Sequence, residues 1–513
     1  MLAEAPPPNP GTDHESVRAG EMAVALRNGL KMGGSLLITW TVALIVKLRV
    51  PAHLGPVRQG HFGFAESFAA MLFAAIGLGV DTYVIKEVAV RPRHASDVVG
   101  GVFALRALMS LVLLLAIAGV LGLTGRPLDI LVAALVFGVI NLLMSTNATL
   151  GAVLAAISRV GPAVIANIAT KIVWGVGLLI GLKYDAPLPV LALPGLVGEL
   201  LRLAIILPAA RIQAGLQFRI DLPAVRVALI ESAPFFVNGL ALTVLGSLGM
   251  STLEFIRVDE REVGWFAAVK NMADLCGLLT PLLFWVVTPI LARAFARSEE
   301  EGMAVFRRCL EGLVVAIAPV TVLISAGSDV WVRIAFGEKY APARLGLSIL
   351  SLVFVMTYMN SMFAMALIIL RRGWQVTTIS IGAVLLTAIF LLLFVPLTRR
   401  LVGVGGECAG AAAAVVASEA CVVVAMMSRF RPFPLDSRNI ATLAKSVTLG
   451  FAILFVDRRL HNLGPVRLVV DTALYAGVAL AIGIVRVQDL GRVARLLRMR
   501  NARAAIPVVG GEP

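Results

Sequence analysis

The feature that most constrains this chain is a recurring apolar run of about 20 residues, the length a helix needs to cross the hydrocarbon core of a bilayer. Such runs extend from Asn28 to Val50, Phe62 to Val84, Val98 to Leu123, Leu128 to Ile157, Pro162 to Leu182 and Pro187 to Ala210. The stretch from Arg211 to Arg226 (RIQAGLQFRIDLPAVR) is too charged to continue the series. Six more runs follow, Ala233 to Ile256, Val263 to Ala292, Val305 to Ser325, Leu345 to Leu370, Val376 to Leu397 and Gly403 to Met427. A last pair covers Ile440 to Val456 and Val466 to Ile484. Of 513 residues 59% are hydrophobic and 15% charged, against roughly 25% charged in a soluble domain. The expected fold class is an all-α polytopic membrane protein with about 14 transmembrane helices. A secreted, fibrous or disordered chain is excluded, and a water-soluble enzyme disfavoured.

Charge orients the spans. Lys+Arg number 45 against Asp+Glu 31, a net +14 with a sequence pI near 10.3. In a soluble protein this excess would point to nucleic acid, but in a membrane protein basic residues gather at cytoplasmic helix ends. The connectors on the N-terminal side carry Lys86, Arg91 and Arg93, then Arg211, Arg219 and Arg226, then Arg293, Arg297, Arg307 and Arg308, then Arg371 and Arg372. Opposite connectors carry Arg126 alone, Lys183 alone, and Arg257 with Arg261 amid acids. Both termini are therefore expected in the cytoplasm of a multi-pass plasma-membrane protein. The stretch 1–26, Pro-rich and without a signal-peptide core, reads as a disordered tail. Residues 487–513, with Arg492, Arg495, Arg498, Arg500 and Arg503 between apolar positions, read as a basic amphipathic tail for the inner leaflet.

The grouping six, six, two suggests an organisation. A six-helix lobe over 27–211 is followed by a cytoplasmic connector at 212–228, a second six-helix lobe at 229–430 and two additional helices at 438–486. An echo supports it. The turn LGPVRQGHFGFAESF opens the second span on Gly60-x-Phe62, and RVDEREVGWFAAVKNM opens the eighth on Gly264-x-Phe266. Glycine there lets one helix start tightly against a neighbour. An offset of six spans makes a parallel repeat, as in transporters with a substrate path between two pseudo-symmetric bundles.

The run NGLKMGGSLLITW…LGPVRQGHFGFAESFAAMLFAAIGLGVDTYVIKEVA resembles the opening of bacterial polysaccharide-biosynthesis membrane proteins, the O-antigen or oligosaccharide-lipid flippases. SAPFFVNGL, EVGWFAAVKNMADL, TPILARAF and WVRIAFGEKYAPA agree in the second half. The wider superfamily includes drug and toxin extrusion antiporters and lipid II flippases. The resemblance implies two pseudo-symmetric six-helix bundles in a V, plus two extra C-terminal helices. It implies a flippase carrying an undecaprenyl-pyrophosphate-type lipid-linked oligosaccharide to the outer leaflet of a bacterial inner membrane by alternating access, for lipopolysaccharide O-antigen or other surface polysaccharide.

An ionisable side chain inside a span is expensive and needs a reason to be there. Arg106, Lys171, Arg202, Lys31 and Lys270 form the basic set, expected to bind the pyrophosphate through charge-assisted hydrogen bonds. Internal pairing competes with that role, because Lys270 and Asp274 stand i,i+4 on one helix. Lys171 and Glu199 lie at similar depth on adjacent spans, and Lys31 and Arg202 can snorkel to the interface. The acids Glu66, Asp274 and Glu199 are the candidates for ion coupling, with Glu254, Glu311 and Glu419 also inside spans. Aligning Gly60 with Gly264 makes Glu66 and Lys270 equivalent positions.

No nucleotide, metal or nucleophile motif occurs, and the histidines lie in tails or connectors. Cys276, Cys309, Cys408 and Cys421 sit in or beside apolar runs as small core residues. No enzyme activity, cofactor or nucleic-acid partner is expected. Energy is expected from a proton or sodium gradient, and the expected partners are the lipid-linked substrate, membrane lipids, a polysaccharide polymerase and other assembly proteins. A multidrug antiporter and a lipid II flippase remain alternatives.

Overall fold

A computed structural model of the chain describes residues 10–91, 95–256, 259–277, 280–431 and 433–484, with side chains from Gly33 onward except at 234, 276, 281, 282, 284, 285 and 461. Every long element is an α-helix. The chain divides into two compact units, the first made of residues 1–275 with 377–411 and the second of 276–376 with 412–513.

Unit one begins with α1 (Pro10–Phe73), which starts inside the stretch expected as a tail. It continues through α2 (Val80–Val90), α3 (Ala95–Leu123), α4 (Leu128–Ala156), α5 (Gly161–Lys183), α6 (Leu188–Ala214), α7 (Leu222–Phe255) and α8 (Glu260–Cys276). Most of α14 (Gly373–Val402) and the first turns of α15 (Gly406–Met427) belong to it as well. Unit two holds α9 (Thr280–Arg297), α10 (Glu299–Ala326), α11 (Ser328–Phe336), α12 (Arg344–Leu350) and α13 (Val353–Ile369). The remainder of α15, then α16 (Ser437–Arg459) and α17 (Arg467–Ala481), complete it.

Among the described residues twelve helical segments are long and apolar enough to cross a membrane. The difference from about 14 has two sources. The first two expected spans run together as Gly33–Val90, 58 residues. At 1.5 Å per residue that run would reach about 87 Å, nearly three bilayer cores, if it were straight. It is not straight. Gly55 breaks it at φ 73°, ψ 168°, between Pro51 and Pro56, and the chain breaks again after Phe73 into a 3₁₀ turn, Ala74–Gly77. The expected span Val263 to Ala292 is split into α8 and α9, neither of which qualifies by itself.

Apolar area gives little drive for helix association in lipid, so close packing and hydrogen bonds hold the helices together. In unit one a Cβ on Gly60 would stand 3.0 Å from the amide nitrogen of Gly264, and a Cβ on Gly264 would collide with the carbonyl of Pro56. The two glycines of the sequence echo therefore form the crossing of α1 with α8. Thr170 donates to the carbonyl of Gly198 at 3.0 Å, joining α5 to α6. Phe64, Phe68 and Phe255 pack edge to face or stacked with centroids 5.5–5.7 Å apart. In unit two Phe306, Phe363 and Phe430 form a triangle with centroids 5.4–5.9 Å apart. Asp436 and Asn439 cap the start of α16 reciprocally.

Candidate functional site

A pocket of about 230 Å³ opens in unit one, between α1, α5, α7 and α8. Its charged wall comes from two helices brought together by the Gly60–Gly264 crossing. Lys270 and Asp274 are one turn apart on α8, and the Lys270 ammonium lies 2.9 Å from Asp274 Oδ2. Lys47 of α1 reaches the same carboxylate oxygen at 3.7 Å. One carboxylate thus carries two ammonium groups, and Glu66 in the same pocket brings its charged lining to two cations and two anions, beside Asn271 and Trp174. Glu66 is exposed and has no ion-pair partner within 4 Å among the described residues. Glu66 and Lys270, equivalent by the glycine alignment, line the same pocket.

Lys171 stands beside this pocket rather than in its wall. Its ammonium lies 4.9 Å from the ring centroid of Trp174, a cation–π contact one turn along α5. The charges that act on it are Glu199, Glu66, Lys47 and Arg202. Glu199, at similar depth on the adjacent span and the competing partner for Lys171, is committed elsewhere. Its Oε2 accepts from Asn147 Nδ2 at 2.8 Å, and Arg202 stands 3.7 Å away. Lys171 has no carboxylate within 4 Å among the described residues.

Arg106 sits differently. It is fully buried, and its guanidinium closes the break between α1 and α2. Nε donates to the carbonyl of Ile76 at 2.9 Å and Nη2 to that of Gly77 at 3.0 Å. Nη1 donates to the Ser145 carbonyl at 2.8 Å and to Thr149 Oγ1 at 2.7 Å, with Asp81 3.9 Å from Nη2. A 3₁₀ turn frees carbonyls that a membrane interior cannot solvate, and Arg106 supplies their donors. In this conformation its donors face protein, not a pocket. Lys31 lies in α1 with its side chain outside the described residues.

Other acids inside the spans also have partners. Glu254 pairs with Arg126, which donates as well to the Glu254 carbonyl at 2.6 Å. Glu311 pairs with Arg438 at 3.0 Å, and Glu419 accepts from Asn360. Sequence reasoning misses Lys47 and Arg126 as pairing residues because each lies at or just beyond the end of an apolar run, where a basic residue reads as an interfacial anchor. No local signal reveals that the partner acid is on a helix far along the chain.

Comparison with solved structures places this fold. A lipid II flippase, MurJ, in an inward closed conformation is 12% identical, with a TM-score of 0.65 over 90% of this chain and 100% of that one. An inward-facing multidrug resistance MATE transporter of the MOP superfamily is 14% identical, with a TM-score of 0.58 over 75% of this chain and 97% of its own. A mutant MATE transporter from Vibrio cholerae is 14% identical, with a TM-score of 0.51 over 82% of this chain and 99% of its own. These likenesses are of fold. No curated protein matches the sequence. The sequence family is a separate finding: the model described as polysaccharide biosynthesis protein matches residues 25–295, more than half of the chain, so this multipass membrane protein belongs to that family.

Proposed function

We propose that the chain is a flippase that carries a polyprenyl-pyrophosphate-linked oligosaccharide from the cytoplasmic to the outer leaflet by alternating access, for surface polysaccharide assembly. The observation that carries this reading is Lys171, an ammonium stacked on Trp174 beside the unit-one pocket with no carboxylate within 4 Å among the described residues. A diphosphate is a ligand for that ammonium, and the indole offers a sugar a stacking face. Lys47 and Lys270 line the pocket from α1 and α8, where Asp274 and Glu66 balance them, while Arg202 is balanced by Glu199. Membership in a polysaccharide biosynthesis family supports the substrate class.

Coupling to a proton or sodium gradient belongs to the same proposal. Asp274 is committed to two ammonium groups and Glu199 to Asn147 and Arg202, whereas Glu66 faces the pocket uncommitted. The test is reconstitution in vesicles with a fluorescent lipid-linked oligosaccharide. Lys171→Ala is expected to lower translocation by about tenfold or more, the worth of a charged hydrogen bond of about 1.5–3 kcal/mol, and Lys171→Arg to retain most of it. Glu66→Gln is expected to transport without responding to an imposed gradient. Full activity in Lys171→Ala would remove the proposed anion site.

A further inference from the structure

The connector between α14 and α15 breaks the charge pattern of its side. That pattern assigns Arg371 and Arg372, just before α14, to the cytoplasm. α14 then runs for 30 residues and carries Arg399 and Arg400 in its last turn. One crossing separates the two pairs, so the second pair belongs to the outer face, where the positive-inside rule disfavours arginine. Cations in a last turn suit the helix dipole, but that role needs no pocket, and these two side chains share one.

The pocket, of about 540 Å³, lies wholly in unit one. α14 lines it with Leu392, Val395, Pro396, Arg399 and Arg400, the i, i+3, i+4, i+7, i+8 spacing of a single helix face. That face is apolar for its first turns and then presents two guanidinium groups. At 1.5 Å per residue the stripe is about 12 Å long, close to the roughly 15 Å of hydrocarbon in one leaflet. Val395 is buried, whereas Leu392, Pro396 and both arginines are exposed. Ile256, the C-cap of α7, adds apolar surface from a second element.

The acid at the site is already committed. Glu407, in the first turn of α15, is buried. Its Oε1 lies 3.1 Å from Arg399 Nη1, and its Oε2 accepts from the Asp259 amide at 3.3 Å. Arg400 has no hydrogen-bond or ion-pair partner among the described residues. The charged lining is therefore two cations against one anion, with one guanidinium unspent. Among the described residues no aromatic ring, amide or hydroxyl side chain lines the pocket, so nothing there reads a sugar, in contrast to the Trp174 pocket.

We propose that this face binds an anionic phospholipid of the outer leaflet, its headgroup phosphate on Arg399 and Arg400 and an acyl chain along Leu392, Val395 and Pro396 against Ile256. The planar fork of a guanidinium matches two phosphate oxygens. The apolar stripe below the arginines selects an amphiphile over a free anion. A bound lipid fastens the end of α14 to the end of α7. The inference stands apart from the identity of the transported substrate.

The test titrates the full-length protein, delipidated in detergent, with phosphatidylglycerol and reads binding by native mass spectrometry. The parent is expected to prefer phosphatidylglycerol over phosphatidylcholine with the same chains. Arg400→Gln should weaken binding about fivefold, the contribution of one basic residue at an anionic lipid surface, and Arg400→Lys should keep most of it. Arg400 has no partner to lose, so both variants should fold as the parent does. Arg261→Gln removes the same charge from an exposed residue of unit one outside the pocket and should leave binding unchanged. Parental affinity in Arg400→Gln, or an equal loss in Arg261→Gln, would overturn the proposal. So would inorganic phosphate that competes as well as the lipid, because the apolar stripe would then take no part. Displacement of phosphatidylglycerol by a lower concentration of polyprenyl diphosphate would overturn it too, because the site would then serve the transported lipid.

Discussion

At the scale of single residues, the difference between Arg106 and Lys171 is one of unmet hydrogen-bonding capacity. Arg106 spends its donors on the carbonyls of Ile76, Gly77 and Ser145 and on Thr149, inside the protein. Removing it leaves the carbonyls of Ile76, Gly77 and Ser145 without these donors, at a cost of about 1–3 kcal/mol for each buried group left unsatisfied. Arg106→Ala is therefore expected to reduce the amount of folded protein in the membrane and to lower its Tm in detergent. Arg106→Lys should rescue this only in part, since an ammonium cannot span four acceptors in a plane. Thr149→Val, which deletes one partner, should cost about 1 kcal/mol. Normal levels of Arg106→Ala with selective loss of transport would mean instead that the side chain meets substrate in another conformation. Lys171→Ala is expected to behave in the opposite way, with protein level intact and transport lost.

At the scale of elements, the decisive contact is the crossing of α1 with α8. A Cβ on Gly264 would collide with the Pro56 carbonyl, and one on Gly60 would come to 3.0 Å of Glu260 and Gly264 backbone atoms. Neither neighbour is a flexible side-chain end, so the helices themselves must part. Gly264→Ala is expected to lower Tm by the equivalent of about 1–3 kcal/mol, the usual range for overpacking, and to weaken transport by moving Lys270 and Asp274 away from Lys47. Gly119→Ala is the matched control. Gly119 lies in α3 with nothing within 4 Å of its Cβ position, and the change should be neutral or slightly stabilising. Equal melting of both variants would show that the crossing carries no special weight. A second joint lies nearby in unit one, where the Glu262 carboxylate of α8 accepts from the backbone nitrogens of Gly405 at 2.5 Å and Cys408 at 2.9 Å. A helix N-terminus with unsatisfied amides is a natural seat for a carboxylate, so α8 also fixes where α15 begins.

At the scale of the whole molecule, the prediction concerns orientation. Basic residues cluster at Arg211, Arg219 and Arg226 on one side, whereas the connector between α3 and α4 has Arg126 alone. That Arg126 is paired with Glu254 reduces its weight as a cytoplasmic anchor. In a variant lacking Cys276, Cys309, Cys408 and Cys421, Gly125→Cys is expected to react with a membrane-impermeant maleimide added to whole spheroplasts. Gln213→Cys should react only after permeabilisation. Both positions are exposed, so failure to label reports sidedness. Labelling in the reverse pattern would place the connector at 212–228 outside and invert the proposed direction of transport.

The sequence alone determined the fold class, because membrane insertion is read from hydropathy summed over about 20 neighbours, a local quantity. It also marked Gly60 and Gly264, since a close helix crossing leaves the same small residue before an aromatic wherever it occurs. It paired Lys270 with Asp274 for the same reason, four residues on one helix being neighbours by geometry. Tertiary structure decided which intramembrane charges have partners. Arg106 meets carbonyls about 30 and 40 residues away in the chain, Glu254 meets Arg126 from 128 residues away, and Lys47 of α1 meets Asp274 of α8. A side chain's hydropathy says that it is costly to bury. Whether that cost is met by a carbonyl, an opposite charge or a ligand depends on which helix lies beside it, and the order of residues along one helix holds no record of that.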